Sequence, residues 1–152
     1  MKNKKRGSMN KRKNVRLKNY DYRQKGFYFI TICTLHIKSI FGDIVDDKMV
    51  LNDNGYLIKN IIERFNEKDE NIKNDFYQIM PNHIHMIVEF KENLDRDLSS
   101  IISNFKSKCT RELGIKNLWQ RNFYERVIRD EKEYMNVLEY INNNPYRDKY
   151  KW

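Results

Sequence analysis

Two of the three histidines of this chain, His83 and His85, lie one residue apart in the apolar stretch Met80-Pro81-Asn82-His83-Ile84-His85-Met86-Ile87-Val88. In an extended strand alternate side chains point to the same face, so the two imidazoles would share one face and Ile84 and Met86 the other. Such a pair could clamp a divalent metal ion. The alternative is a strand whose two imidazoles face solvent. The spacing alone leaves both interpretations open.

A second group of polar residues lies near the C-terminus, on a predicted helix over residues 131–145. At about 100° per residue, Tyr140 falls roughly 110° from the centre of the apolar stripe of this helix. Asn144 lies one turn further on the same side, so a phenol and a carboxamide could be presented together. The alternative is an exposed tyrosine and an asparagine run that frays before Pro145. The apolar stripe consists of Tyr134, Val137, Leu138 and Ile141.

Hydrophobic patterning predicts the strands and helices that carry the histidine pair, Tyr140 and Asn144. Their order, apart from an inserted hairpin and one extra helix, is strand, helix, strand, strand, helix, strand. This is the split βαβ order, and it predicts an α+β, ferredoxin-like (RNA-recognition-like) fold: an antiparallel sheet with helices on one face, plus a C-terminal helix that carries Tyr140. The first half of the chain is predicted to hold a strand at 27–34, a hairpin of 41–45 and 48–51, and a helix that is capped by Asn52 or Asp53 and ends near Lys68. Two strands at 76–80 and 83–90 follow, around a tight turn or bulge at Pro81-Asn82. The last predicted elements are a helix from Leu94 that Gly114 closes, a strand at 118–128, and a helix that Asp130 could cap.

Length and composition indicate one globular domain. The 152 residues suffice for a core of ordinary size, and 39% of them are hydrophobic. No apolar stretch approaches the roughly 20 residues needed to span a bilayer, and the basic N-terminus lacks the apolar segment of a secretory signal. We therefore expect a cytoplasmic protein without a membrane segment. Cys33 and Cys109 have neither metal-site nor disulfide spacing, which favours structural thiols.

The net charge of +9 is concentrated at the N-terminus. Residues 1–20 hold nine basic side chains and no acidic one, so the remaining chain has 21 basic and 21 acidic side chains. We expect residues 1–20 to form a basic flexible arm and residues 21–152 a single domain. The arm could attract a polyanion such as DNA, or it could only aid solubility.

Three motifs in order resemble those of a known family, the single-tyrosine HUH transposases. They are Met80-Pro81-Asn82-His83-Ile84-His85, the segment from Leu118 to Arg129, and Tyr140-Ile141-Asn142-Asn143-Asn144-Pro145. The resemblance runs from about Phe27 to Arg147. The Trp119-Gln120 pair and the ending Tyr-Ile-x-x-Asn-Pro are most similar to the REP-associated tyrosine transposases.

The resemblance implies a metal-dependent endonuclease and strand transferase, a transposase, that acts on single-stranded DNA at hairpins and works in the cytoplasm at the nucleoid as a monomer or homodimer. Tyr140 matches the nucleophile of the family, which leaves a 5′-phosphotyrosine and a free 3′-OH. His83, His85 and Asn144 match the ligands of Mg²⁺ or Mn²⁺. Some relatives carry an acidic ligand where Met80 stands, which places more weight on Asn144 or water as the third ligand.

Candidate DNA contacts follow from residue type, because aromatic rings stack on unpaired bases and guanidinium groups bind phosphate. Tyr124 is the rival nucleophile, and His36 is expected at the surface. Two other functions stay open: a non-catalytic single-stranded or hairpin nucleic-acid-binding protein on the same fold, and a related HUH nickase of replication or conjugation. The candidate DNA contacts are Trp119, Gln120, Arg121 and Arg129 in the second motif, and Lys106, Lys108 and Arg111 on the second long helix, whose charges could equally be solvated.

Overall fold

The computed structural model describes residues 17, 19–65, 67 and 69–143. Six strands, three α-helices and one 3₁₀ turn, Leu35–Ile37, make up this part of the chain. In chain order the α-helices and strands are β1 (Gly26–Cys33), β2 (Gly42–Val45), β3 (Lys48–Leu51), α1 (Asp53–Glu63), β4 (Ile72–Met80), β5 (His83–Phe90), α2 (Leu98–Leu113), β6 (Tyr124–Ile128) and α3 (Glu131–Asn142).

The main sheet has four strands in the order β4-β5-β1-β6, and every neighbouring pair is antiparallel. This is the strand order of the predicted split βαβ fold, so the α+β, ferredoxin-like prediction is confirmed. The small hairpin of β2 and β3 is also confirmed. Its two turn residues, Asp46 and Asp47, both have positive φ (52° and 63°), as a type I′ turn requires, although the favoured Asn-Gly pair is absent.

Helices cover both faces of this sheet. The larger core lies on the side of α1 and α2 and includes alternate residues of β1 and β5, such as Ile30, Ile32, Ile84 and Met86. A smaller cluster on the opposite face joins the sheet to α3 through Ile87, Ile128, Val137 and Ile141. The face that the split βαβ pattern leaves open is therefore partly covered by the C-terminal helix.

Two predicted boundaries in the first half of the chain are wrong. Helix α1 ends at Glu63 rather than near Lys68, because the N–H of Arg64 is already shared among three carbonyls and Phe65 is the last apolar residue of the stripe. Strand β4 begins at Ile72 rather than Phe76. A register shift between Asn74 and Phe76 breaks the alternation and hides the first half of this strand from the sequence pattern.

Two boundaries in the second half differ as well. Helix α2 starts at Leu98 with Asp97 as its cap, so Leu94 precedes it, while Gly114 closes it in the left-handed conformation (φ 67°) as predicted. Strand β6 is limited to Tyr124–Ile128. Within the rest of the predicted strand, Trp119 forms an isolated bridge with Thr34.

The described part of the chain begins inside the predicted basic arm. Leu17 and Tyr20 are partly buried against the larger core, and the N–H of Leu17 donates to the hydroxyl of Tyr22 (2.7 Å). The predicted boundary at residue 20 thus falls within packed chain, and residues 1–16 lie outside the described residues. In the described part of the chain, no helix is long and apolar enough to cross a membrane.

Candidate active site

The hairpin between β4 and β5 presents the histidine pair. Met80 pairs with His83, so Pro81 and Asn82 form the predicted tight turn. The carbonyl of Pro81 accepts from the N–H groups of Ile40 (2.8 Å) and Phe41 (3.0 Å), and that of Asn82 accepts from the N–H of Thr34 (2.9 Å). The segment after β1 therefore holds the turn in place and fixes the start of β5.

His83 and His85 lie on the face of the sheet that α3 covers, and their ring centroids are 4.7 Å apart. Ile84 and Met86 point into the opposite core, so the predicted alternation is confirmed. The alternative of a solvent-facing pair is wrong, because His83 is 1% and His85 0% exposed.

Each imidazole contacts an oxygen atom through Nδ1. Nδ1 of His85 lies 2.9 Å from Oγ1 of Thr31 on β1, and Nδ1 of His83 lies 2.6 Å from Oδ1 of Asn82. A carboxamide oxygen can only accept, so Nδ1 of His83 is the donor, and the lone pair of its neutral ring is on Nε2. Such contacts fix the tautomer and orientation of a ring, as they do for metal-binding histidines.

Tyr140 lies against the same pair. Its ring centroid is 5.7 Å from that of His85 with the rings nearly perpendicular (73°), and 6.1 Å from that of Phe29 on β1. Asp130 is the N-cap of helix α3, as predicted, and its carboxylate accepts from the N–H of Glu133 (2.8 Å). The predicted apolar stripe packs the helix against the sheet, and Val137 and Ile141 are buried in this contact. Tyr140 is half-buried at its edge.

The first turn of α3 is attached to the edge of the sheet. The hydroxyl of Tyr134 donates to the carboxylate of Asp75, and the ring packs edge-on against Phe27 (5.5 Å). The β-bulge at Asp75 allows both Asp75 and its neighbour Phe76 to contact the side of the sheet that α3 covers. Burial, and then the hydrogen bond to Asp75, raise the pKa of Tyr134 to about 12.

The other residues weighed from the sequence have clear positions. Tyr124 pairs with Thr31 across β6 and β1, so it lies on the face of the histidine pair, as Tyr140 does. His36 is exposed, as predicted. Cys33 and Cys109 are buried, and burial raises the pKa of the Cys109 thiol to about 12, which fits a structural role.

Two of the candidate DNA contacts are used inside the protein. Trp119 is 9% exposed, packs against Phe41 (5.6 Å) and donates from Nε1 to the carbonyl of Lys106 (3.2 Å). This position favours packing over stacking on a base. Nζ of Lys106 donates to the carbonyls of Gln120 (2.8 Å) and Arg121 (3.1 Å), and burial lowers its pKa. Lys106 therefore anchors the loop before β6.

The remaining candidates are at or near the surface. Arg111, Arg121 and Arg129 are exposed, whereas Gln120 is half-buried and donates its N–H to the carbonyl of Cys33 (2.9 Å). Lys108 lies 4.0 Å from Glu112, which also pairs with Arg64 (3.5 Å).

Four residues near the site were missed by the sequence reasoning: Phe29, Thr31, Asn82 and Arg126. Asn82 could have been found, because a carboxamide directly before His83 can reach its ring. Phe29, Thr31 and Arg126 depend on the pairing of β1 with β5 and β6, which no local pattern specifies.

The donor chemistry of the site fits a divalent cation in part. His83 and His85 offer two imidazoles on one face, with rings oriented through Nδ1. Among the residues that the structure describes, no group of three or more His, Cys, Asp and Glu side chains could hold a metal ion. Asn144, the predicted third ligand, lies outside the described residues.

The ferredoxin-like sheet, the paired histidines on β5 and the tyrosine on the helix packed against His85 agree with the class that the three motifs indicate, that of the tyrosine transposases. Residues 28–144 match the family model described as "Transposase IS200 like". The chain belongs to this family, and it is a tyrosine transposase by class.

Individual relatives agree with the family. The chain is 37% identical over 158 residues to an uncharacterized protein of Haemophilus influenzae, with 88% of each chain covered. It is 34% identical over 81 residues to the REP-associated tyrosine transposase of Escherichia coli K12, a match that spans 53% of this chain and 48% of that relative. A solved REP-associated tyrosine transposase bound to a REP hairpin superposes with a TM-score of 0.67 at 25% identity, covering 88% of this chain and 73% of the other.

Proposed function

We propose that the protein cleaves and rejoins single-stranded DNA at a hairpin, with Tyr140 as its nucleophile. The observation that carries this proposal is the position of the Tyr140 ring against His85, on the face that His83 also occupies. A phenol beside two oriented imidazoles is a sound arrangement for attack on a phosphodiester.

The chemistry is a transfer of one phosphoryl linkage. The phenolic oxygen of Tyr140 attacks phosphorus, and the bond from phosphorus to the 3′-oxygen of the upstream nucleotide breaks. The phenolic proton is lost to solvent, and the departing 3′-oxygen takes up a proton, which gives a 5′-phosphotyrosine and a free 3′-OH. Attack by another 3′-OH reverses the step and joins DNA without an external energy source.

His83 and His85, with Asn144 as the proposed third residue, would hold Mg²⁺ or Mn²⁺. The ion, when bound, supplies positive charge beside the scissile phosphate. Neutral imidazoles leave that charge undiminished, and Thr31 and Asn82 keep the two rings in a fixed orientation. Both histidines are buried and the ring of Tyr140 on α3 lies against His85, so we expect the last turn of this helix to shift when DNA enters.

Hairpin DNA is the proposed substrate because a relative of the same fold is described as bound to a REP hairpin. The charge of this chain agrees with a polyanionic partner, since its excess of nine positive charges resides in residues 1–20. Exposed Arg121 and Arg129 remain the proposed phosphate contacts from the second motif. Lys108 and Arg111 are proposed as a weaker track on α2.

A covalent capture experiment tests the proposal. The full chain is incubated with a library of single-stranded DNA hairpins and Mn²⁺, and the DNA that becomes protein-linked is sequenced. We expect a defined hairpin to be recovered, and we expect a chelator to abolish the linkage. Recovery of hairpins that bind but are never linked would instead support the non-catalytic binding protein.

Histidine variants make the test specific. His83→Ala or His85→Ala should reduce linkage by at least about 100-fold, because each removes a proposed metal ligand, while hairpin binding is largely retained. His36→Ala is the matched control, since this third histidine is exposed and lies in the 3₁₀ turn rather than on β5. Equal activity of all three variants would exclude the histidine pair from the reaction.

A further inference from the structure

A cavity of about 280 Å³ lies between α3 and β6, and Tyr140 is one of its lining residues. Glu133, Asn136, Val137 and Tyr140 share the face of α3 that borders it, because Asn136 and Val137 each lie three or four residues from both Glu133 and Tyr140. At 1.5 Å per residue, the stretch from Glu133 to Tyr140 extends about 10 Å along the helix. The cavity is thus a short groove that ends at the proposed nucleophile.

The groove combines an apolar floor with a polar rim. Phe29, Ile128 and Val137 supply the floor, and Arg126 and Asn136 lie in exposed positions at the rim. The side chain of Arg126 is 68% exposed, so it is accessible to a ligand. An aromatic and apolar floor suits a base, and a guanidinium suits a phosphate.

Glu133 brings a negative charge to the rim, but this charge is compensated. Its Oε1 accepts from the N–H of Arg129 (2.9 Å), and its Oε2 lies 3.7 Å from Nη2 of Arg126. A phosphate could therefore replace Glu133 as the partner of Arg126, while Oε1 of Glu133 still accepts from the N–H of Arg129.

We propose that this groove binds one nucleotide of the substrate, the first one downstream of the scissile phosphate. Its base would lie on the floor, Asn136 would meet the base edge, and Arg126 would bind the next phosphate. In the proposed function this nucleotide becomes joined to Tyr140 through its 5′-phosphate, so a groove that ends at Tyr140 is placed to retain it until rejoining. The inference rests on that function.

Size and charge favour this groove over its neighbour. A volume of about 280 Å³ is near the lower end of ligand sites, roughly 300 Å³, and admits one nucleotide but no longer segment. The adjoining cavity, about 420 Å³, has Arg129 at its edge but also three carboxylates, those of Asp75, Asp130 and Glu131. That excess of negative charge disfavours a phosphate.

The test uses the hairpin recovered from the library, with the base deleted either just downstream or just upstream of the cleavage site. We expect the downstream deletion to lower the amount of linked DNA about ten-fold in the wild type, in line with roughly 1–3 kcal/mol for a stacked base, and the upstream deletion to have a smaller effect. In Asn136→Ala the intact hairpin should already be linked less, and the downstream deletion should cost less than in the wild type, because the contact to the base edge is already lost. Arg126→Gln removes the proposed phosphate contact and should lower linkage of the intact and the base-deleted hairpins alike. Met135→Ala, exposed on the same helix, serves as the matched control.

The inference fails if the downstream deletion is harmless, if the upstream deletion is the more damaging, if Asn136→Ala shows the full additional loss seen in the wild type, or if Arg126→Gln leaves linkage unchanged. In each of these cases the intact hairpin is still linked to the wild type, so the proposed function stands. Failure to link any intact hairpin would overturn the function itself and the inference with it.

Discussion

The ring of Tyr140 on α3 meets the ring of His85 on β5 edge-on, with centroids 5.7 Å apart, although 55 positions separate the two residues in the sequence. The contact joins the last motif of the chain to the first. The proposed roles of Tyr140 and His85 depend on this contact.

The first prediction concerns the orientation of His85. Thr31→Val removes the hydroxyl that contacts Nδ1 of His85 (2.9 Å) while retaining a side chain of similar shape. We expect the Mn²⁺ concentration needed for half-maximal linkage to rise by about 10- to 100-fold. Thr31→Ser keeps the hydroxyl and should remain close to wild type. An unchanged Mn²⁺ requirement in Thr31→Val would remove Thr31 from this role.

The second prediction concerns the attachment of α3 to the sheet. Tyr134→Phe removes the hydrogen bond to Asp75, whose side chain is only 20% exposed. We expect the free energy of unfolding to fall by about 1–2 kcal/mol near pH 8, measured in urea, because a hydrogen bond to a charged group is lost. Met135→Ala on the same helix should change it by less than about 0.5 kcal/mol.

The same pair predicts a pH dependence. The pKa of Tyr134 is raised from 10.0 to about 12, so the folded protein holds the phenolic proton more tightly than the unfolded chain. This contribution is complete below about pH 10 and is lost as the pH rises through about 12. The stability difference between wild type and Tyr134→Phe should therefore shrink over this range. A difference independent of pH would show that the hydroxyl is not the source of the stabilisation.

The third prediction separates loop anchoring from DNA binding. Lys106→Met removes two hydrogen bonds to the loop before β6, so we expect stability to fall by about 1–3 kcal/mol with no change in the salt dependence of hairpin binding. Arg121→Ala, at an exposed position, should leave stability unchanged and reduce the slope of log affinity against log salt by about one. The reverse pattern would assign the phosphate contact to Lys106.

The sequence predicts those parts of the site that depend on local periodicity. Alternation along β5 places His83 and His85 on one face, and the 3.6-residue repeat places Val137 and Ile141 beneath α3. Both predictions hold because each depends only on neighbouring residues.

Other features require contacts between distant segments. The partnership of Thr31 with His85 follows from the register of two strands 54 residues apart, and the burial of Trp119 follows from its bridge to Thr34. The early start of β4 was missed because the bulge at Asp75 interrupts the alternation. Residue type alone placed Trp119 and Lys106 among the candidate DNA contacts, whereas the structure shows that both also make contacts inside the protein.

We infer that Tyr140 forms the covalent bond to DNA. The tyrosine that becomes linked can be identified directly by mass spectrometry. After nuclease and trypsin digestion of the linked protein, the peptide over residues 133–147 contains Tyr134, Tyr140 and Tyr146, whereas Tyr124 falls in a separate peptide. Fragmentation by mass spectrometry should place the nucleotide on Tyr140, and Tyr140→Phe should form no adduct while Tyr124→Phe does. A nucleotide on Tyr124 or any other tyrosine, or an adduct that persists in Tyr140→Phe, would show that Tyr140 is not the nucleophile.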